Sequence, residues 1–330
     1  MKKKLFLAFL VLASTILISC ATTHSADSVW HNDDTHHWHE CIQSGCEEFF
    51  DKGEHTWSDW VEIKPATGEQ VGLKTRKCIV CKKTEAAIIE KLNYLAGKYI
   101  SFMGDSITTY TDWSNNITYN STIGNNAVWY TSSSLISANE TWWKKSIDDL
   151  KLNLCVNNSW SGSRVTTTQG EVSSACMTRS NNLHDDNKSI NPDIIVIYIG
   201  INDYNCGITL GSFESIDDIY DAETSSYVAD LSVFAEAYAT MIHKIINKYL
   251  NADVYCCTMY NNGNTNIPIW NETIKGIAEY FDVKIVDFYT ETKITLSTLS
   301  TYTIDNLHPN KLGMIELSKC LTNNLIKYYD

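Results

Sequence analysis

Pro192-Asp193-Ile194-Ile195-Val196-Ile197-Tyr198-Ile199-Gly200 runs directly into Ile201-Asn202-Asp203. The apolar residues of this stretch do not alternate with polar ones, so a strand here has both faces in a core. Strands of that kind belong to parallel sheets covered by helices on both sides. A glycine closes the run, which leaves Asn202 and Asp203 just past the strand's carboxyl end.

The sequence on either side continues the alternation. Lys98–Gly104 is an apolar strand that runs into Ser106, Glu140–Leu150 reads as a helix and Lys151–Asn157 as a second strand. Beyond the central run come an amphipathic helix over Tyr227–Leu250, a strand over Asp253–Met259 and a helix over Ile267–Phe281. Val283–Phe288 reads as the last strand and Lys311–Tyr328 as the closing helix. Five strands with helices between them predict an α/β fold, a three-layer α/β/α sandwich around a five-stranded parallel sheet. Ligands of such sheets bind beyond the carboxyl ends of the strands.

Four short blocks in fixed order fall at that edge: Gly104-Asp105-Ser106, Asn158-Ser159-Trp160-Ser161-Gly162, Gly200-Ile201-Asn202-Asp203 and Asp305-Asn306-Leu307-His308. A serine at a strand-to-helix turn presents its hydroxyl at the sheet edge and leaves its own N–H without a helical partner. Gly162 lets the backbone come close and offers a second N–H, and Asn202 can aim its amide at the same point. Asp305 and His308 lie within one turn, so the carboxylate can hold one ring nitrogen while the other faces Ser106. His184 falls in a polar loop and His243 on a helix, which leaves His308 as the base. No Gly-x-Ser-x-Gly elbow surrounds Ser106, so an α/β-hydrolase site is not expected.

These blocks resemble the SGNH (GDSL-type) hydrolase superfamily, over roughly Lys98 to Asp330. Gly104-Asp105-Ser106-Ile107 matches the first block, with isoleucine where the family name has leucine. The resemblance implies a flavodoxin-like fold and catalytic Ser106, Asp305 and His308. It also implies an oxyanion hole from Ser106, Gly162 and Asn202, and ester hydrolysis through an acyl-enzyme with no cofactor for catalysis. The expected substrate is a short acyl ester, such as acetyl, on a polysaccharide. The alternatives are a lysophospholipase or lipase acting on longer chains, or a carbohydrate-binding surface protein on a hydrolase fold. Thr109–Trp160 is a polar, aromatic-rich stretch whose Trp113, Trp129 and Trp160 are open to a sugar-stacking role, whereas Trp142 and Trp143 are expected to bury a helix. Arg164 reads either as an anion-binding group or as one half of an ion pair.

With 44% hydrophobic and 20% charged residues the chain is an ordinary folded protein. Its formal net charge of −13 argues against nucleic acid as a partner. Residues 1–19 combine Lys2, Lys3 and Lys4 with an apolar run, as in an export signal. Leu17-Ile18-Ser19-Cys20 resembles a bacterial lipobox, which implies lipidation at Cys20, with a simple secretory peptide or an uncleaved anchor as the alternatives. The expectation is an exported protein, lipid-anchored to the membrane of the cell envelope or surface. Residues 20–30 read as a tether, 31–93 as a Cys/His-rich module and 94–330 as the hydrolase domain. In the module, His36-His37-Trp38-His39 precedes Cys41 and Cys46, and His55-Thr56-Trp57 precedes Cys78-Ile79-Val80-Cys81. Cys41, Cys46, Cys78 and Cys81, with His55, His37 or His39 nearby, suit structural zinc, and two disulfides are the competing reading. Cys155, Cys256 and Cys257 fall in strands and read as buried thiols.

Overall fold

The computed structural model describes residues 24–68, 70–91, 93–110, 128–130, 134–135, 137–169 and 174–329. Residues 1–19, Cys20 and Trp113 lie outside them. Among the described residues no helix is long and apolar enough to cross a membrane. The chain divides into two compact units, one reaching Ala66 and taking in Val71–Glu90, the other taking in Thr67–Gln70 and Lys91–Asp330.

The larger unit is the expected α/β/α sandwich. Its strands are β1 (Tyr99–Gly104), β2 (Asn153–Ser159), β3 (Ile194–Tyr198), β4 (Asp253–Cys257) and β5 (Lys284–Val286). They lie in the order β2-β1-β3-β4-β5 and are parallel throughout. All five residues of β3 are buried, as a central strand without alternation requires. Of the helices, α1 (Trp142–Leu150) packs on α5 (Lys311–Tyr329), and α3 (Phe234–Lys248) packs on α4 (Ile267–Tyr280). The short α2 (Ile201–Asn205) follows β3. Trp142 and Trp143 are fully buried, Trp142 lying edge-on to Phe102, Tyr198 and Phe288. Cys155, Cys256 and Cys257 are buried thiols on β2 and β4.

Helix α3 starts at Phe234, seven residues later than the periodicity suggests. Ser226–Tyr227 instead pairs antiparallel with Tyr220–Asp221. Asp230 then takes the N–H and hydroxyl of Ser232 on one carboxylate oxygen, a local turn that competes with helix.

The register sets the site. Gly104 at the end of β1 pairs with Ser159 of β2 on one side and Tyr198 of β3 on the other, so three carboxyl ends finish level. Gly104 also has to be glycine, since a Cβ would sit 2.5 Å from Thr108 Oγ1 and 2.9 Å from the Tyr198 carbonyl.

The smaller unit contains two three-stranded antiparallel sheets. One joins His31–Asn32, His36–Glu40 and Phe49–Glu54, the other Val61–Lys64, Gly72–Lys77 and Thr84–Ile89. Residues 24–30 are not a tether but part of this unit. Ala26 bridges Cys41, and the Asp27 carboxylate receives the Glu40 N–H and contacts His31 and His39. A half-buried carboxylate with several partners fixes the segment where no apolar pattern announces it.

Candidate active site

Ser106 opens a single 3₁₀ turn directly after β1, capped by Asp105, whose carboxylate accepts the Ile107 N–H at 3.0 Å. Its hydroxyl lies 2.9 Å from His308 Nε2, and His308 Nδ1 lies 2.7 Å from Asp305 Oδ2. The other oxygen of Asp305 accepts the backbone N–H groups of Leu307 at 3.0 Å and His308 at 2.7 Å. That turn brings Asn306 into the left-handed region at φ 66°. The carboxylate therefore fixes both the loop and the imidazole. The Nδ1 facing it must carry the proton, which leaves the Nε2 lone pair toward Ser106.

The His308 loop is held from outside as well. Tyr130 donates its hydroxyl to the Pro309 carbonyl at 2.8 Å, and Tyr260 donates to the Leu307 carbonyl. The indole of Trp129 lies flat on the His308 ring, with centroids 3.7 Å apart and planes 8° from parallel. Trp129 thus covers one face of His308, and Trp160 is buried with its Nε1 bonded to Asn158 Oδ1. Trp160 is therefore not the open platform that the sequence allowed, and Trp129 has one face on His308.

Burial is the largest influence on His308 and pulls its pKa below 6.5, with Asp305 acting against it. Burial opposes ionisation of Asp305, yet the His308 backbone N–H, the His308 ring and the Leu307 N–H together hold its carboxyl below the ordinary value.

The remaining blocks are bonded to this centre in sequence. The Trp160 N–H donates to the Gly104 carbonyl at 3.1 Å. Gly162 sits at φ 72°, a conformation that strains any residue with a Cβ. Asn202 donates from Nδ2 to the Ser163 carbonyl at 2.9 Å, which uses one amide hydrogen and ties α2 to the loop after Gly162. The fully buried Asp203 carboxylate accepts from the N–H groups of Val165 and Thr166 and from the Thr166 hydroxyl, at 2.8–3.1 Å. This explains the aspartate after Asn202: it clamps the loop that follows the second block to the third.

Arg179 was not foreseen. It is buried, and its Nη2 donates to the carbonyls of Gly104 at 2.7 Å and Asn158 at 2.6 Å, bridging the ends of β1 and β2. Burial raises the neighbouring Asp105 to about 7, with the Ile107 N–H and the Arg179 charge pulling the other way. The sequence around Arg179 is polar and aperiodic and carries no signal for this role.

A doubly wound sheet with serine, glycine, asparagine and an Asp-x-x-His turn on one edge defines an SGNH hydrolase. The chain belongs to the GDSL-like lipase/acylhydrolase family, whose model matches residues 98–325. Among solved structures, a GDSL-like lipase from Bacteroides ovatus is 25% identical, with 70% of this chain aligned to 99% of that one at a TM-score of 0.52. A second, from Bacteroides uniformis, is 22% identical over 71% of this chain and 98% of that one, at 0.51. No curated protein matches.

The smaller unit does not gather its cysteines into one group. His37, His55, Cys78 and Cys81 form one cluster, and His24, Cys41 and Cys46 another, the donor atoms in each lying within 4.8 Å of one another. His24 Nδ1 is 2.9 Å from Cys46 Sγ and 3.2 Å from the Glu48 carboxylate. His24 lies in the stretch expected to be a tether, and His39 belongs to neither cluster. All four cysteines are thiols in this structure.

Proposed function

We propose that this chain is a serine esterase in which Ser106, His308 and Asp305 act as one unit. The carrying observation is the unbroken relay from Asp305 through His308 to Ser106, with contacts of 2.7 and 2.9 Å. Ser106 Oγ attacks the ester carbonyl carbon while its proton passes to His308 Nε2. Charge builds on the former carbonyl oxygen, where the N–H groups of Ser106 and Gly162 and the second Asn202 amide hydrogen stabilise it. Loss of one such donor typically costs about 3–4 kcal/mol. The intermediate collapses, the C–O bond to the alcohol breaks, and the alcohol leaves with the proton from His308. Water then attacks the acyl-Ser106 with His308 again as base, releasing the acid. Every step uses groups of the chain itself, so no cofactor is required.

The proposed substrate is a short acyl ester, acetyl above all, on a polysaccharide. A formal charge of −13 gives no attraction to anionic lipid surfaces, whereas a neutral glycan carries no such penalty. The lipobox-like Leu17-Ile18-Ser19-Cys20 supports export and a lipid anchor at Cys20, which would place the enzyme beside polymeric substrates. Hydrolysis rates over p-nitrophenyl esters of increasing acyl length, in wild type and Ser106→Ala, test the reading. It expects fastest turnover of the acetyl ester and none above background in the variant. Preference for long chains refutes the substrate, and retained activity in Ser106→Ala refutes the site.

A further inference from the structure

The smaller unit lacks an ordinary means of staying folded. Among the described residues before Leu95, only Ala66 and Cys78 are buried hydrophobics, while Val29, Ile42, Phe49, Val61, Ile63, Ile79 and Ile88 are exposed. Units of this size rarely hold together on a small core and generally need a staple.

The cluster of His37, His55, Cys78 and Cys81 is placed where a staple would act. Register sets His37 opposite Gly53, two residues before His55. Trp57 bridges Cys78, and the Ile79 N–H bonds the Thr56 carbonyl, so the chain around His55 is sewn to the Cys78 turn. That turn closes with the Lys82 N–H on the Cys78 carbonyl, and Lys82 takes φ 66°. Backbone N–H groups of Cys81 and Val80 are directed at the Cys78 sulfur, and that of Lys83 at the Cys81 sulfur. Such donors suit thiolates.

The histidines are prepared in the same sense. His55 Nε2 lies 3.0 Å from the Asp33 carbonyl, which can only accept, so Nε2 carries the proton. Its Nδ1 lone pair then faces Cys81 Sγ at 3.5 Å. A carbonyl fixing the tautomer of a ligating histidine is the usual second contact of a metal site. His37 is 6% exposed, and its Nδ1 has no hydrogen-bond partner among the described residues. A buried ring nitrogen in that state is costly unless something else meets it.

We propose that His37, His55, Cys78 and Cys81 bind one zinc ion that holds the two sheets of the smaller unit together. Zn–S bonds of about 2.3 Å and Zn–N bonds of about 2.0 Å give tetrahedral edges of about 3.3–3.8 Å. Donor atoms within 4.8 Å of one another need to move about 1 Å to reach this. Two thiols lose their protons to solvent on binding, and two thiolates with two neutral imidazoles bring the charge of the site to zero around Zn²⁺. The S₂N₂ set selects zinc over magnesium or calcium, which take oxygen ligands. His24, Cys41 and Cys46 supply only three such donors and are not part of the proposal.

The test uses the full chain, purified without chelator under reducing conditions. Elemental analysis should find zinc, with about one ion per chain fewer in Cys78→Ser and in His55→Ala. His55→Ala is decisive, because it leaves both sulfurs in place and would not disturb a Cys78–Cys81 disulfide. Replacing zinc by Co²⁺ in the unmutated protein should give the intense visible bands of a tetrahedral sulfur-ligated ion, and needs no variant to fold. Metal-free protein with Cys78 and Cys81 joined as a disulfide overturns the proposal. So does a zinc content in His55→Ala and Cys78→Ser equal to that of wild type.

Discussion

Replacing Trp129 by leucine separates chemistry from packing at the base. The indole lies 3.7 Å from the imidazole and nearly parallel to it, so the charge that appears on His308 when it takes the Ser106 proton forms against an aromatic face. That contact is worth about 0.5–2 kcal/mol to the imidazolium. Leucine keeps apolar cover over the ring, so the desolvation that lowers the His308 pKa stays, while the ring quadrupole goes. The free-enzyme pKa should then fall further, by about 0.4–1.5 units at 1.36 kcal/mol per unit. The transition state carries the same positive ring, so the plateau rate should fall by about 2- to 30-fold. The two shifts come from one energy and must agree: the logarithm of the rate loss should match the displacement of the acid limb. The assay is kcat/KM for p-nitrophenyl acetate across pH, which reports ionisations of the free enzyme. A thermal melt checks folding. A rate loss with the acid limb unmoved, or moved upward, means that Trp129 only packs, and the reasoning fails.

In the wild type the acid limb should lie below pH 6.5, because only neutral imidazole accepts the serine proton and burial of His308 favours that form. A limb at or above 6.5 contradicts this. Arg179→Met should lower the unfolding free energy by about 1.5–3 kcal/mol in urea titration, since it removes the charged donor shared by two buried carbonyls at the ends of β1 and β2. A loss below about 1 kcal/mol would show that Arg179 is dispensable to the sheet edge.

What the sequence revealed and what it hid differ in physical kind. Ile194–Tyr198 could be read because burial on both faces erases the alternation of a strand, and that is a local property. Ser106, Gly162, Asn202 and the Asp305–His308 turn were legible because each follows a strand or closes a short turn, so their neighbours in sequence fix their place. Arg179, Trp129 and Tyr260 act on groups far away in the chain: the carbonyls of Gly104 and Asn158, the ring of His308, the carbonyl of Leu307. Nothing adjacent to them marks that role. His24 was missed for a related reason, since it meets Cys46 through a bridge between Ala26 and Cys41 that no apolar pattern foretells. The start of α3 was misplaced because a polar turn at Asp230 overrode helical periodicity.

The central claim is that Ser106 carries the acyl group. It is tested most directly by mass spectrometry of protein quenched in acid during turnover of p-nitrophenyl acetate. One acetyl group should be found, located by peptide fragmentation on Ser106, absent from Ser106→Ala and accumulating on a timescale faster than steady-state turnover or equal to it. Acetyl on another residue that forms and decays at the catalytic rate, or turnover that persists in Ser106→Ala, would contradict it.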